Sequence, residues 1–380
     1  MKAAALVLSA AFVLAGAAPA HAQLGALGKI KKGADEAAKA KKNIDDMTFS
    51  EKEEHQLGEN VSERLRQRFG VVQDKELTKY VTLVGTVVAQ QSSRPALDWK
   101  FIVLDTDGVN AYATPGGFVH VTRGLLGLIK NEAELAGVLG HEITHIANKH
   151  TINSIRTSKG MDIGVDYGTS KSGWTTEMLA KLGEKVFKDI FEGKWSQGDE
   201  NDADHGGAID ANKAGYDPHG LVTALEKLDA RNASQSSHNG WFASHPETKD
   251  RISKVTKQIS SEKLTGKATV DARYKQHVTY DAKPLSEVTA VDAGASGLAS
   301  GDKKKEEPKK DEPKPEAKKK GFNLSSITGG SQQAQSSQQT ASAGARGVGN
   351  DTNAKGGGNP ALVAVRVTPE EITAFKKGIA

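Results

Sequence analysis

A chain of 380 residues is long enough for one large or two ordinary cores, but with 37% hydrophobic residues and 40 glycines it cannot bury all of itself. The formal charge of +4 equals the surplus of nine lysines over five acids in residues 303–320, so the rest is near neutral and carries no field of the kind that holds nucleic acid. Cysteine is absent, which excludes a disulfide framework and a cysteine-linked lipid anchor.

Residues 1–22 have the three parts of a secretory signal: a lysine, a short apolar run and a small-x-small end at Ala20-His21-Ala22. Cleavage is expected before Gln23, giving a periplasmic or secreted protein that is not a lipoprotein. The apolar run is short for a spanning helix and no second one follows, so an integral membrane protein is not expected. Residues 23–46, rich in alanine and lysine with Leu24, Leu27 and Ile30 on one short helical face, are expected to be a mobile arm.

The folded domain is placed at residues 47–285. Ser50 opens a helix whose period runs through Leu57, Val61 and Leu65, and a second helix follows in LTKYVTLVGTVVAQQ. The period then becomes that of strands. DWKFIVLD, VNAYATP and GFVHVTRG are broken by Asp107-Gly108 and Pro115-Gly116-Gly117, and three antiparallel strands beside helices are the economical reading.

The next helix begins at Asn131, with Glu134 completing a capping-box-like start, and runs to about Asn148. Leu135, Val138, Leu139 and Ile146 give it an apolar face. His141 and His145, four residues apart, project side by side, as two imidazoles must to hold one metal. Glu142 is offset from that row and placed to polarise a water, which is the mechanical content of H-E-x-x-H. A zinc enzyme of this type needs a third protein ligand. The continuation with glycine three residues and histidine six residues after the second histidine is excluded, because Asn148 and Thr151 stand there. His150 falls one residue out of register and reads as a helix-end residue. Downstream, GDENDADHGGAIDANKAGYDPHG offers Glu200 and Asp204 four apart at the start of a helical pattern, with Asp199, Asp202 and His205 competing on composition.

These residues resemble the soluble, secreted gluzincins related to the CaaX prenyl proteases, the HtpX membrane proteases and the periplasmic BepA-type proteases. The resemblance covers roughly residues 49–259 and rests on VNAYATPGGFVHVTRGLL, EAELAGVLGHEITHIANKH, ENDADHGGAIDANKAGYDP and SHPETKDRI, in the family's order. It implies an α+β fold: a zincin-type, mainly helical metalloprotease domain with a small antiparallel sheet beside the metal-binding helix, followed by a disordered tail. It implies one zinc ion per chain on His141, His145 and Glu200, with Glu142 as general base and Asp204 accepting the free N–H of a ligand histidine. The strand before the metal helix, beginning Asn110, Ala111, Tyr112 and Ala113, would pair with extended substrate. His245 would lie near the zinc, either closing its open position as a latch or steadying the transition state. Arg251 would stabilise an oxyanion or hold its loop through a carboxylate.

The function implied is a zinc-dependent metalloendopeptidase of the cell envelope acting on unfolded or misassembled extracytoplasmic polypeptides. The alternative is a self-restrained or non-proteolytic assembly factor that keeps the zinc site. His205 stands where a basic residue is commoner in the family, and Asp202 where glutamate is commoner; neither changes a ligand. The extra apolar helices of the membrane relatives and the helical repeats of BepA-type proteins are not visible.

Residues 286–359 read as a low-complexity linker whose lysine, glutamate and proline stretch is a solvated spacer. Pattern returns in residues 360–380. Alternation over 362–367 reads as a strand, and Thr368 and Pro369 open a short helix closed by Lys376, Lys377 and Gly378. Some 20 residues cannot form a core alone, so this element is expected to dock on a partner or on the domain.

Overall fold

The elements follow from local signals through the first half of the domain. In a computed structural model of the chain, the residues described are 49–157, 174–191, 195–232, 244–245, 248–288 and 359–379. All fall in one of the two units into which the chain divides. The expected signal (1–22), arm (23–46) and nearly all of the linker (286–359) lie outside the described residues. No helix among the described residues is long and apolar enough to cross a membrane.

Helix α1 (Glu51–Phe69) starts with a full capping box, Ser50 accepting from the Glu53 amide while the Glu53 carboxylate accepts from the Ser50 amide. Its period buries Leu57, Val61, Leu65 and Phe69. Helix α2 (Lys75–Ala89) is capped by Asp74. Strands β1 (Lys100–Leu104), β2 (Ala111–Thr114) and β3 (Phe118–Thr122) follow, with a turn at Pro115–Gly117. Helices α3 (Arg123–Leu128) and α4 (Glu132–Ala147) come next, then α5 (His150–Thr157), α6 (Thr176–Phe191), α7 (Gln197–Lys213), α8 (His219–Asn232), α9 (Thr248–Ser261), α10 (Asp271–His277) and α11 (Pro369–Lys377).

The α+β class holds, with one correction to the sheet. Its order is β1-β3-β2; β2 and β3 pair antiparallel, but β1 pairs with β3 in parallel. After Leu104 the chain passes over the end of β3 and starts β2 on the far side, a step of two strand spacings of about 4.8 Å that six residues span easily. This crossing is held by the Thr122 amide donating to the Asn110 carbonyl and by Arg123, whose guanidinium lies 3.1 Å from Asp105 and 3.3 Å from Asp107.

All sixteen residues of α4 are buried. It lies under the sheet and packs against α2, α7 and α8. The approach of α4 to α7 is set by two glycines. A Cβ on Gly140 would stand 2.8 Å from the Gly207 oxygen, and one on Gly207 would stand 2.6 Å from the His141 nitrogen. The two backbones therefore touch, and this closeness lets carboxylates from α7 reach histidines on α4. Gly207→Ala should cost about 1–3 kcal/mol by overpacking against backbone that cannot rotate away, read as a lower midpoint in denaturant unfolding.

The C-terminal element docks on the domain. Thr368 and Glu371 form a capping box at α11, Arg273 stacks over Phe375 at 3.8 Å, and Ile379 is buried. Residues 362–367 alternate in burial as a strand would, yet form no ladder. They run past the outer edge of β1 across a groove of about 340 Å³.

Candidate metal centre

Two helices and one short segment supply the site. His141 and His145 stand one turn apart on α4 and Glu200 on the first turn of α7, while His245 comes from the described pair 244–245. One ligand atom from each of the four lies within 4.8 Å of the others, and all four side chains are buried. No other cluster of this kind occurs among the described residues.

The protonation pattern points to a cation. A carboxylate only accepts, so His141 Nδ1–H donates to Asp204 Oδ1 at 2.9 Å, which leaves Nε2 as a bare lone pair. That Nε2 faces His145 Nε2 at 3.1 Å and His245 Nδ1 at 3.3 Å. Glu200 Oε1 lies 3.4 Å from His145 Nε2 and 2.9 Å from His245 Nδ1, and Oε2 lies 3.7 Å from His141 Nε2. With zinc–nitrogen distances of about 2.0–2.1 Å, a tetrahedron has edges of about 3.3 Å, so the spacing of these donors suits one such ion.

Burial lowers the pKa of His141 and His145, keeping both neutral as ligands must be. Burial works against ionised Glu200, but His245, Arg251 and His145 outweigh it and hold its carboxyl well below the usual range. Burial likewise opposes a charged His245, yet Glu200 and Glu142 beside it raise its pKa. Asp204 is held down to about 2 against its burial, chiefly by Arg251.

Glu142 differs from the other carboxylates. Neither of its oxygens has a hydrogen-bond partner, His245 Nε2 is 3.5 Å from Oε1, and burial pushes its pKa up to about 7. A carboxylate of that basicity can take a proton near neutral pH.

The other expected site residues fall nearby. Arg251 on α9 aims its whole guanidinium at carboxylates: Nε and Nη2 donate to the two oxygens of Asp204 at 2.7 Å each, and Nη1 lies 2.8 Å from Glu200 Oε2 as an ion pair. Asn110 and Ala111, Tyr112 and Ala113 at the start of β2, an outer strand of the sheet, are all buried. The Ser244 hydroxyl donates to Asn110 Oδ1 at 3.3 Å, so the segment carrying His245 lies against both the histidine cluster and the start of β2.

His150, read as a helix-end residue, is the first residue of α5; it is buried, with Nδ1 2.9 Å from His145 Nδ1 and Nε2 2.9 Å from Asp202 Oδ2. Asp199 is 4.0 Å from His150 Nε2, and His205 pairs with Glu262 at the surface. Trp195, which no local signal marks, lays its ring 4.5 Å from that of His145.

Residues 75–259 match the model of peptidase family M48. The chain is similar to the beta-barrel assembly-enhancing protease of Escherichia coli strain K12, 25% identical over 211 residues that make up 54% of this chain and 43% of that one. It is 31% identical to metalloprotease YcaL of the same strain over 43% of this chain and 63% of that one. It is 28% identical to mitochondrial metalloendopeptidase OMA1 of Schizosaccharomyces pombe over 47% and 52%. The chain spans about half the length of the curated relatives it matches.

Proposed function

From residues 75–259, which form a peptidase family M48 domain, we propose that this chain is a zinc-dependent metalloendopeptidase of the cell envelope. One observation carries the reading: four buried donors, His141, His145, Glu200 and His245, converge within 4.8 Å, with the Glu142 carboxylate, which accepts no hydrogen bond, beside them. His141, His145 and Glu200 would hold one zinc per chain. When bound, zinc supplies the Lewis acid that brings the pKa of a water to about 7. Glu142 then accepts a proton from the attacking water and returns it to the leaving amine. Asp204 fixes the tautomer of His141, and Arg251 holds Asp204 and Glu200 in place. The substrates proposed are unfolded or misassembled extracytoplasmic polypeptides, read as extended chain beside β2. The signal-like residues 1–22 and a relative named for β-barrel assembly support an envelope setting.

A second reading, a self-restrained enzyme or assembly factor, is favoured by the place of His245. His245 lies among the donors, 3.3 Å from His141 Nε2, and Ser244 next to it bonds Asn110 before β2, so displacing these two residues would free both places.

The test is cleavage of a permanently unfolded protein, such as reduced and alkylated lactalbumin, by zinc-loaded protein. Internal fragments should appear, vanish on chelation and return with zinc. His245→Ala should cut faster than wild type; a slower variant overturns the latch. If neither cuts, the assembly-factor reading replaces the protease.

A further inference from the structure

We propose that His150 and Asp202 are positioning residues that fix the tautomer and aim of His145 toward the metal. The inference takes from the proposed function only that His145 Nε2 is a zinc ligand.

Proton bookkeeping leads to it. Asp202 Oδ2, 2.9 Å from His150 Nε2, can only accept, so Nε2 is an N–H, and in the singly protonated ring Nδ1 is a lone pair. That lone pair lies 2.9 Å from His145 Nδ1, which must therefore be the N–H. The remaining nitrogen of His145, Nε2, is then bare and faces the donor cluster. With His145 Nε2 left free to ligate, this is the donor and acceptor assignment that satisfies both contacts. The arrangement parallels Asp204 on His141, with an imidazole inserted between carboxylate and ligand. Asn148 Nδ2 donates to the same Asp202 oxygen at 2.6 Å and so holds the carboxylate in line.

The backbone supplies an independent observation. On an unbroken helix His150, five residues beyond His145, would sit about 140° around the axis from it. The chain breaks instead: α4 ends at Ala147, and Lys149 takes a φ of 58°, a left-handed conformation costly for a residue with a side chain. Helix α5 starts at the next residue. This turn brings the His150 ring to 4.9 Å from that of His145, nearly perpendicular to it. The left-handed turn is thus what carries the His150 ring onto the second nitrogen of His145.

The experiment measures zinc itself, by competition with a chromophoric chelator, in wild type, His150→Leu, His150→Gln, Asp202→Asn and the Asp202→Asn, His150→Leu pair. His150→Leu should weaken zinc about 10-fold. His150→Gln, whose amide oxygen can still accept from His145 Nδ1–H, should recover most of that loss. Asp202→Asn should weaken zinc less, and add nothing once His150 is leucine, because it acts through that ring. The visible spectrum of the cobalt(II) form should shift in His150→Leu and not in His150→Gln. A residue that only packs would lower the melting temperature of the metal-free protein and leave these readouts alone. Zinc affinity in His150→Leu within twofold of wild type, or a full additional loss from Asp202→Asn in that background, overturns the relay. Asp202 has a side chain 48% exposed, so its variant reports even if His150→Leu folds poorly. Wild type that binds no zinc overturns the proposed function itself, a result distinct from failure of the relay.

Discussion

Glu142→Gln should remove proteolysis, by on the order of 10²–10⁴-fold for a lost general base, while leaving zinc content at the wild-type level. The two halves of this expectation have separate causes. Glutamine keeps the shape of the side chain but cannot take a proton from water. Zinc is retained because the Glu142 oxygens are not among the four converging donor atoms. Burial keeps this carboxyl near neutrality, about 7, and no hydrogen bond lowers it again, so the wild-type group is basic enough to act. Replacing it by a neutral amide removes both the cost of burying its charge and its attraction to His245 at 3.5 Å, two opposed effects, so the metal-free protein should stay within about 1 kcal/mol of wild type. Zinc analysis, fragment yield on an unfolded substrate and a denaturant curve check the three statements. A zinc-loaded Glu142→Gln protein that cuts at the wild-type rate removes Glu142 from the mechanism.

Arg251→Ala should destabilise the metal-free protein by about 3–5 kcal/mol, the cost of leaving buried charge without its partner. Arg251 is 1% exposed and serves two carboxylates at once, Asp204 through Nε and Nη2 and Glu200 through Nη1. Its loss leaves Asp204 with His141 and Glu200 with the neighbouring histidines in place of a full counter-charge, and unties α9 from α7. Lysine keeps the charge but not the fork, so Arg251→Lys should fall between wild type and alanine. Zinc brings positive charge to Glu200 and should therefore recover part of the loss, making the stability of Arg251→Ala more zinc-dependent than that of wild type. Unfolding midpoints with chelator and with zinc test this. A change below about 1 kcal/mol without metal would mean that the two carboxylates do not need Arg251 as their counter-charge.

What the sequence determined by itself was whatever is set within about four residues. Helix starts at Ser50, Asn131 and Thr368 were legible because a cap is a hydrogen bond between a side chain and an amide three positions on. His141 with His145, and Glu200 with Asp204, could be placed on shared faces because one helical turn returns each side chain to its row. That these two pairs meet at one point is a tertiary fact. It depends on Gly140 and Gly207 allowing two helices to touch, and a glycine in a sequence does not name the backbone it will meet. The parallel pairing of β1 with β3 was likewise hidden, since alternation shows that a segment is a strand but not which strand lies beside it. His150 does stand at a helix end, as its position suggests, but its contact with His145 was hidden for a related reason. Helical spacing carries it away from His145, and only the left-handed turn at Lys149, in a residue type that does not advertise one, brings it back. Arg251 was marked by its motif, but its engagement of both Asp204 and Glu200 comes from the packing of α9 on α7, across 47 residues of chain to Asp204. Local hydrogen-bonding geometry wrote the donors into the sequence; close packing of distant segments made them a centre.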